Sequence, residues 1–168
     1  GASKRGWTTW TTGLVEKRTK AIVPVVMDLL NLVNGTDNHY RSLGGYTFEF
    51  ADYLEAGVVG TTLFTHNYSK LADIVDAYSY FKHDAPWRSP SFDTMPKLVV
   101  NAANDEFFLP DDDHSWWAEL PGEKHRLYVP NADHPFRFLP PFPPSYVDGT
   151  QVFASALLPF FGAVVRSI

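Results

Sequence analysis

The chain has 168 residues, 45% of them apolar and 20% charged, and a formal net charge of −5 at pH 7. That length fits one domain rather than two, and no lysine or arginine run exceeds two residues, so the basic stripe needed to bind nucleic acid is missing. The absence of cysteine excludes disulfides, thiolate catalysis and zinc–thiolate sites, and no uninterrupted apolar stretch reaches the ~18 residues of a membrane span.

The elements follow in chain order. Trp7, Trp10 and Leu14 recur at helical spacing and predict a helix from about Arg5 to Lys17. Lys20 to Met27 (KAIVPVVM) is a short, β-branched apolar run that reads as a buried strand; Pro24 inside it is tolerable near a strand end or at an edge. Residues 28–90 are mixed and read as a helical, cap-like insertion within the same domain. They carry turn signals at Asn34-Gly35 and Gly44-Gly45 and helices over Thr47–Glu55 and Ser69–Phe81. Lys97 to Asn101 (KLVVN) is a second strand. Pro110 to Leu120 opens with Asp111-Asp112-Asp113 and reads as a helix with a solvated acidic start rather than a metal site. Pro121-Gly122 stops it, His125 to Val129 is a third strand, and Thr150 to Val165 is a last, apolar helix. The alternation predicts parallel βαβ units and an α/β fold.

Three residues carry chemistry. Ser3 stands in Gly1-Ala2-Ser3-Lys4-Arg5-Gly6 just before a helix, as a nucleophile elbow requires: a sharp turn with small neighbours, aiming a helix N-terminus at the hydroxyl. The common elbow has its second glycine two residues after the serine, where Arg5 stands. Asp105 follows the second strand, where doubly wound sheets gather functional groups, and Glu106 beside it is the alternative acid. His134 follows the third strand on a loop, the setting of a general base, whereas His39, His66 and His83 lie in the insertion, His114 in a helix and His125 at a strand start. The order Ser, Asp, His, with Ser3 at the elbow and Asp105 and His134 each immediately after a predicted strand, is that of α/β-hydrolases. It points to acyl transfer from Ser3, with the Lys4 N–H binding the oxyanion and no cofactor.

The segments GASKRGWTTW, KAIVPVVMDLLN, HYRSLGGYTFEFADY, PKLVVNAANDEFFLPDD and VPNADH together resemble the PhoPQ-activated pathogenicity-related protein family, which includes autocrine proliferation repressor-like proteins. The resemblance implies an α/β-hydrolase with Ser3, Asp105 and His134 at the triad positions, and it makes the GxSxxG spacing the family's own. That spacing is similar to the one in glucuronoyl esterases, where an arginine beside the serine helps hold the oxyanion; Lys4 or Arg5 would correspond. Family members are longer and supply strands upstream of Gly1. The chain is therefore expected to be the C-terminal half of the domain, with three mostly parallel strands in an incomplete sheet and impaired activity.

Asn34-Gly35-Thr36 and Asn67-Tyr68-Ser69 are N-glycosylation patterns and point to a secreted or periplasmic setting. Leu139-Pro-Pro-Phe-Pro-Pro144 reads as a stiff loop beside the histidine, and Trp7, Trp10, Trp116 and Trp117 as core rather than substrate platform. The expected activity is a serine hydrolase of the esterase or peptidase type, acting on a small-molecule or peptide acyl substrate. The rival is a secreted signalling or binding protein that keeps the scaffold without turnover.

Overall fold

A computed structural model describes residues 1–28, 30–136 and 149–167. Helix α1 (Lys4–Val15) begins one residue after Ser3. The segment 28–90 contributes α2 (Leu32–Leu43), α3 (Ala51–Glu55), α4 (His66–Val75) and α5 (Ala77–Lys82). Strands β1 (Lys97–Ala102) and β2 (Lys124–Val129) pair in parallel from Lys97↔Lys124 to Ala102↔Val129, and α6 (Gly149–Ser167) closes the order. The proline-rich stretch 139–144 lies outside the described residues.

Two further segments extend the sheet without becoming regular strands. Residues 22–26 run parallel to β1, with Leu98 N–H donating to Ile22 O, Val100 N–H to Pro24 O, and Val26 N–H to Val100 O. On their other side Ser3 N–H donates to Val25 O and Val25 N–H to Gly1 O. The lateral order is therefore 1–3, 22–26, β1, β2. The strand expected over Lys20–Met27 is reduced to isolated bridges, Ile22↔Lys97 and Val25↔Val100. Pro24 is the cause: it lies between two neighbours rather than at an edge, and it has no N–H to give the ladder at its position.

β1 is buried along its whole length, and its side chains alternate between two cores. Val99 packs with Trp10, Leu14, Ile22 and Met27 under α1 and the insertion, in a core that also takes in Leu32, Phe50, Val59 and Ala72. Leu98, Val100 and Ala102 pack with Val26 and Val129 against Phe153, Leu157 and Phe160 of α6. Helices on both faces of a parallel sheet are the α/β arrangement the alternation predicted.

Packing redrew three elements and the acidic run. Asn34-Gly35 is not a turn but lies inside α2, with Gly35 buried; α2 stops at Gly44, which adopts φ 72°. The helix expected over Ser69–Phe81 breaks at Asp76. There the carboxylate accepts from Leu32 N–H at 2.7 Å and from Tyr78 N–H at 2.9 Å, capping α2 and α5 together. The helix expected over Pro110–Leu120 becomes two 3₁₀ turns, Asp112–Ser115 and Trp117–Glu119. The solvated acidic run is corrected too: Asp112 and Asp113 are buried. Asp112 accepts from Asn38 Nδ2 and Leu109 N–H, while Asp113 binds Arg126 and the Tyr128 hydroxyl. These side-chain bonds compete with the helical ladder and bend the segment around Trp116. The indole of Trp116 meets Trp10 edge-on at 5.9 Å and donates to Asp28 O.

Candidate active site

The turn from the 1–3 segment into α1 puts Ser3 in the left-handed half of backbone space, at φ 50° and ψ −123°. For a residue with a Cβ this costs ~1–3 kcal/mol, and it persists only where the surroundings impose it. Here Ser3 N–H is fixed to Val25 O at 2.8 Å, and Ser3 O accepts from Trp7 N–H at 3.0 Å. Gly6 explains the spacing of the motif. A Cβ there would stand 2.6 Å from Met27 Cβ and 3.0 Å from Val25 O, so α1 can cross the sheet at this height only if residue 6 is glycine. Gly1 is equally constrained, because its Cβ would lie 2.6 Å from Arg5 O. The second glycine thus falls where the helix touches the neighbouring strand, three residues after the serine.

Asp105 and His134 arrive from the loops that follow β1 and β2. Those loops are stitched together by Ala103 N–H to Val129 O at 2.9 Å and Asn104 N–H to Ala132 O at 3.0 Å. Ser3 Oγ lies 2.7 Å from His134 Nε2, and His134 Nδ1 lies 3.0 Å from each Asp105 carboxylate oxygen. Asp105 Oδ1 also accepts from Phe107 N–H and Phe108 N–H, both at 2.9 Å. An acceptor on the Nδ1 side makes Nδ1 the protonated nitrogen, so Nε2 is free to accept the hydrogen bond of the Ser3 hydroxyl. Phe107 and Phe108 meet the imidazole edge-on with centroids 5.3 and 5.2 Å away, and His134 is 7% exposed. Burial lowers the His134 pKa, but the hydrogen bond and charge of Asp105, with Glu49 and Glu106, outweigh it and hold the value above the usual 6.5.

The sequence-predicted residues divide cleanly. Ser3, Asp105 and His134 come together. Lys4 opens α1, where the first N–H groups of a helix have no carbonyl four residues back to bond, and its N–H is the donor next along the chain from Ser3. The Lys4 and Arg5 side chains are exposed, and Arg5 N–H is engaged by Ala2 O at 2.8 Å. Glu106, the alternative acid, does not hold Nδ1. It accepts instead from His134 N–H at 3.0 Å and fixes the loop carrying the imidazole.

Two groups escaped the reading of the sequence. His39, set aside as an insertion histidine, is buried and bridges two segments beside the site. Its Nε2 accepts from Thr47 N–H at 3.2 Å, which leaves Nδ1 to donate to Phe107 O at 3.1 Å. Asp28 is fully buried beneath the loops and accepts from Asn101 Nδ2 at 2.7 Å. Burial, then the charges of Asp112, Asp113 and Asp105, pushes its carboxyl well above the usual range. Both residues follow or lie within elements whose packing no local pattern reveals, apart from Asp28 standing directly after a predicted strand.

Ser3, His134 and Asp105 form a hydrogen-bonded chain at the carboxyl ends of parallel segments. Residues 1–140 match the family model described as PhoPQ-activated pathogenicity-related protein, and the chain belongs to that family. It is 40% identical over 136 residues to autocrine proliferation repressor protein A of Dictyostelium discoideum. The match covers 80% of this chain but 26% of that relative, so the chain spans about a quarter of its length. No solved structure matches the chain.

Proposed function

We propose that this chain carries the catalytic residues of a serine hydrolase built on the α/β-hydrolase plan, with residues 28–90 as a cap-like insertion in one domain. One observation carries the reading: a strained Ser3 whose Oγ lies 2.7 Å from the imidazole that Asp105 holds from behind. Ser3 Oγ attacks the acyl carbon while His134 Nε2 takes its proton; the carbon–leaving-group bond then breaks and His134 returns the proton to the leaving group. Water repeats the sequence to release the acid. Asp105 orients the imidazole and stabilises its charged form, and the Lys4 N–H receives the oxyanion. The chemistry runs on these side chains and the Lys4 N–H and needs no cofactor. The second reading, a secreted signalling protein without turnover, draws on the name of the Dictyostelium relative, a proliferation repressor. Secretion itself is supported by Asn67, exposed at the start of α4 within its acceptor pattern. Treating the full-length gene product with a fluorophosphonate and mapping the adduct tests the first reading. Labelling at Ser3, abolished by Ser3→Ala, is expected; a folded protein with no adduct moves the assignment to the signalling reading.

A further inference from the structure

Ser3 and Lys4 open onto a cavity of about 330 Å³ between α1, the insertion and the loop after β1. Trp7, Val59, Leu71 and Phe107 are among its walls. Two of its polar groups are turned to backbone carbonyls: the Trp7 indole donates to Val75 O at 2.7 Å, and the buried Thr36 hydroxyl donates to Leu32 O at 2.7 Å; the rest of its uncharged polar lining is Ser3 and the hydroxyls of Tyr53 and Tyr68. Lys4, at the mouth, is the only charged lining residue among the described residues, and its side chain is exposed.

We infer, resting on the hydrolase reading, that this cavity is the acyl pocket and that the substrate's acyl part is an uncharged apolar group of about six to ten carbons, aliphatic or carrying one aromatic ring. The acyl side is assigned because Ser3 and Lys4, which would hold the carbonyl carbon and its oxygen, both line the cavity. The substituent on that carbon is therefore the part that enters. The size follows from volume: the cavity is roughly twice the ~150 Å³ void that admits benzene. The chemistry follows from the lining. A carboxylate or ammonium placed among these rings would lose its hydration with at most a tyrosine hydroxyl to replace it, whereas each methylene removed from water favours binding. Phe107 touches both the cavity and the imidazole, so filling the pocket also presses on the wall that holds the base in place.

The test uses the full-length gene product with p-nitrophenyl esters from acetyl to decanoyl, the leaving group held constant. Alongside them run p-nitrophenyl phosphonates bearing methyl or octyl on phosphorus, read by intact mass at Ser3. Buried methylenes at roughly fourfold each give hexanoyl about a 10²-fold advantage over acetyl in kcat/KM, and the octyl phosphonate labels faster than the methyl one. Leu71→Trp, which narrows the mouth, and Leu71→Asp, which puts charge in the wall, each lower the decanoyl-to-acetyl ratio at least tenfold. Position 71 is 36% exposed, and unchanged urea midpoints for both variants separate a lost pocket from a lost fold. Equal labelling by both phosphonates with a flat chain-length profile overturns the acyl-pocket assignment and leaves the hydrolase reading standing. Labelling by neither removes the hydrolase reading, and this inference with it.

Discussion

Replacing Gly6 by alanine tests how the elbow is built. The added Cβ would sit 2.6 Å from Met27 Cβ, about 1 Å inside the ~3.5–4.0 Å optimum for carbon pairs. Val25 O, 3.0 Å away, blocks the other escape, and it is the carbonyl that holds Ser3 N–H. Neither neighbour can swing aside, since one is a Cβ fixed to its backbone and the other a backbone oxygen. The helix start must therefore lift from the 22–26 segment. Overpacking of this kind costs ~1–3 kcal/mol of stability. The functional loss is larger, because Ser3 lies on the displaced turn and a ~1 Å misplacement of a reacting group costs ~10² in rate. Gly45→Ala is the control: a methyl group there would meet no atom within 4 Å, and the variant should behave as wild type. Urea melts and the rate of phosphonate labelling at Ser3 read the two effects separately. A Gly6→Ala protein with wild-type labelling and an unshifted midpoint would falsify the claim that close approach sets the GxSxxG spacing.

Three further outcomes are expected. Asp105→Asn keeps acceptors for Phe107 and Phe108 but can turn an amide donor toward Nδ1, favouring the wrong tautomer, and kcat should fall ~10⁴-fold with little change in stability; a loss below tenfold would remove Asp105 from the relay. Because the folded His134 pKa is raised, the base is protonated at mildly acidic pH and kcat/KM should climb through a midpoint above 6.5; Glu106→Gln should move that midpoint down, and an unmoved midpoint would count against the electrostatic account. Stability should depend on pH through Asp112, whose burial raises its folded pKa to about 7. The folded state then holds a proton the unfolded chain has released, so stability declines as pH rises from about 4 to 7. In calorimetric melts Asp112→Asn should flatten that decline by at most ~4 kcal/mol; parallel curves for the two proteins would contradict it.

Local sequence was enough for the α/β alternation in outline, for Ser3 just before a helix, and for Asp105 and His134 directly after strand-like segments. Those features are short-range: β-branched runs, helical spacing around Trp10, and loop residues directly after KLVVN and HRLYV. It also carried the family. Where polar groups are satisfied was settled by packing alone. Asp76 breaks a helix to cap two others, and Asp112 and Asp113 turn inward because Asn38, Arg126 and Tyr128 wait there. Glu106 holds the backbone of His134 rather than its ring, a distinction two adjacent acidic residues cannot express in sequence. The position of Gly6 is legible only once α1 lies on the 22–26 segment. Each of these is a contact between residues distant along the chain, and a linear pattern constrains such contacts only through the packing that brings them together.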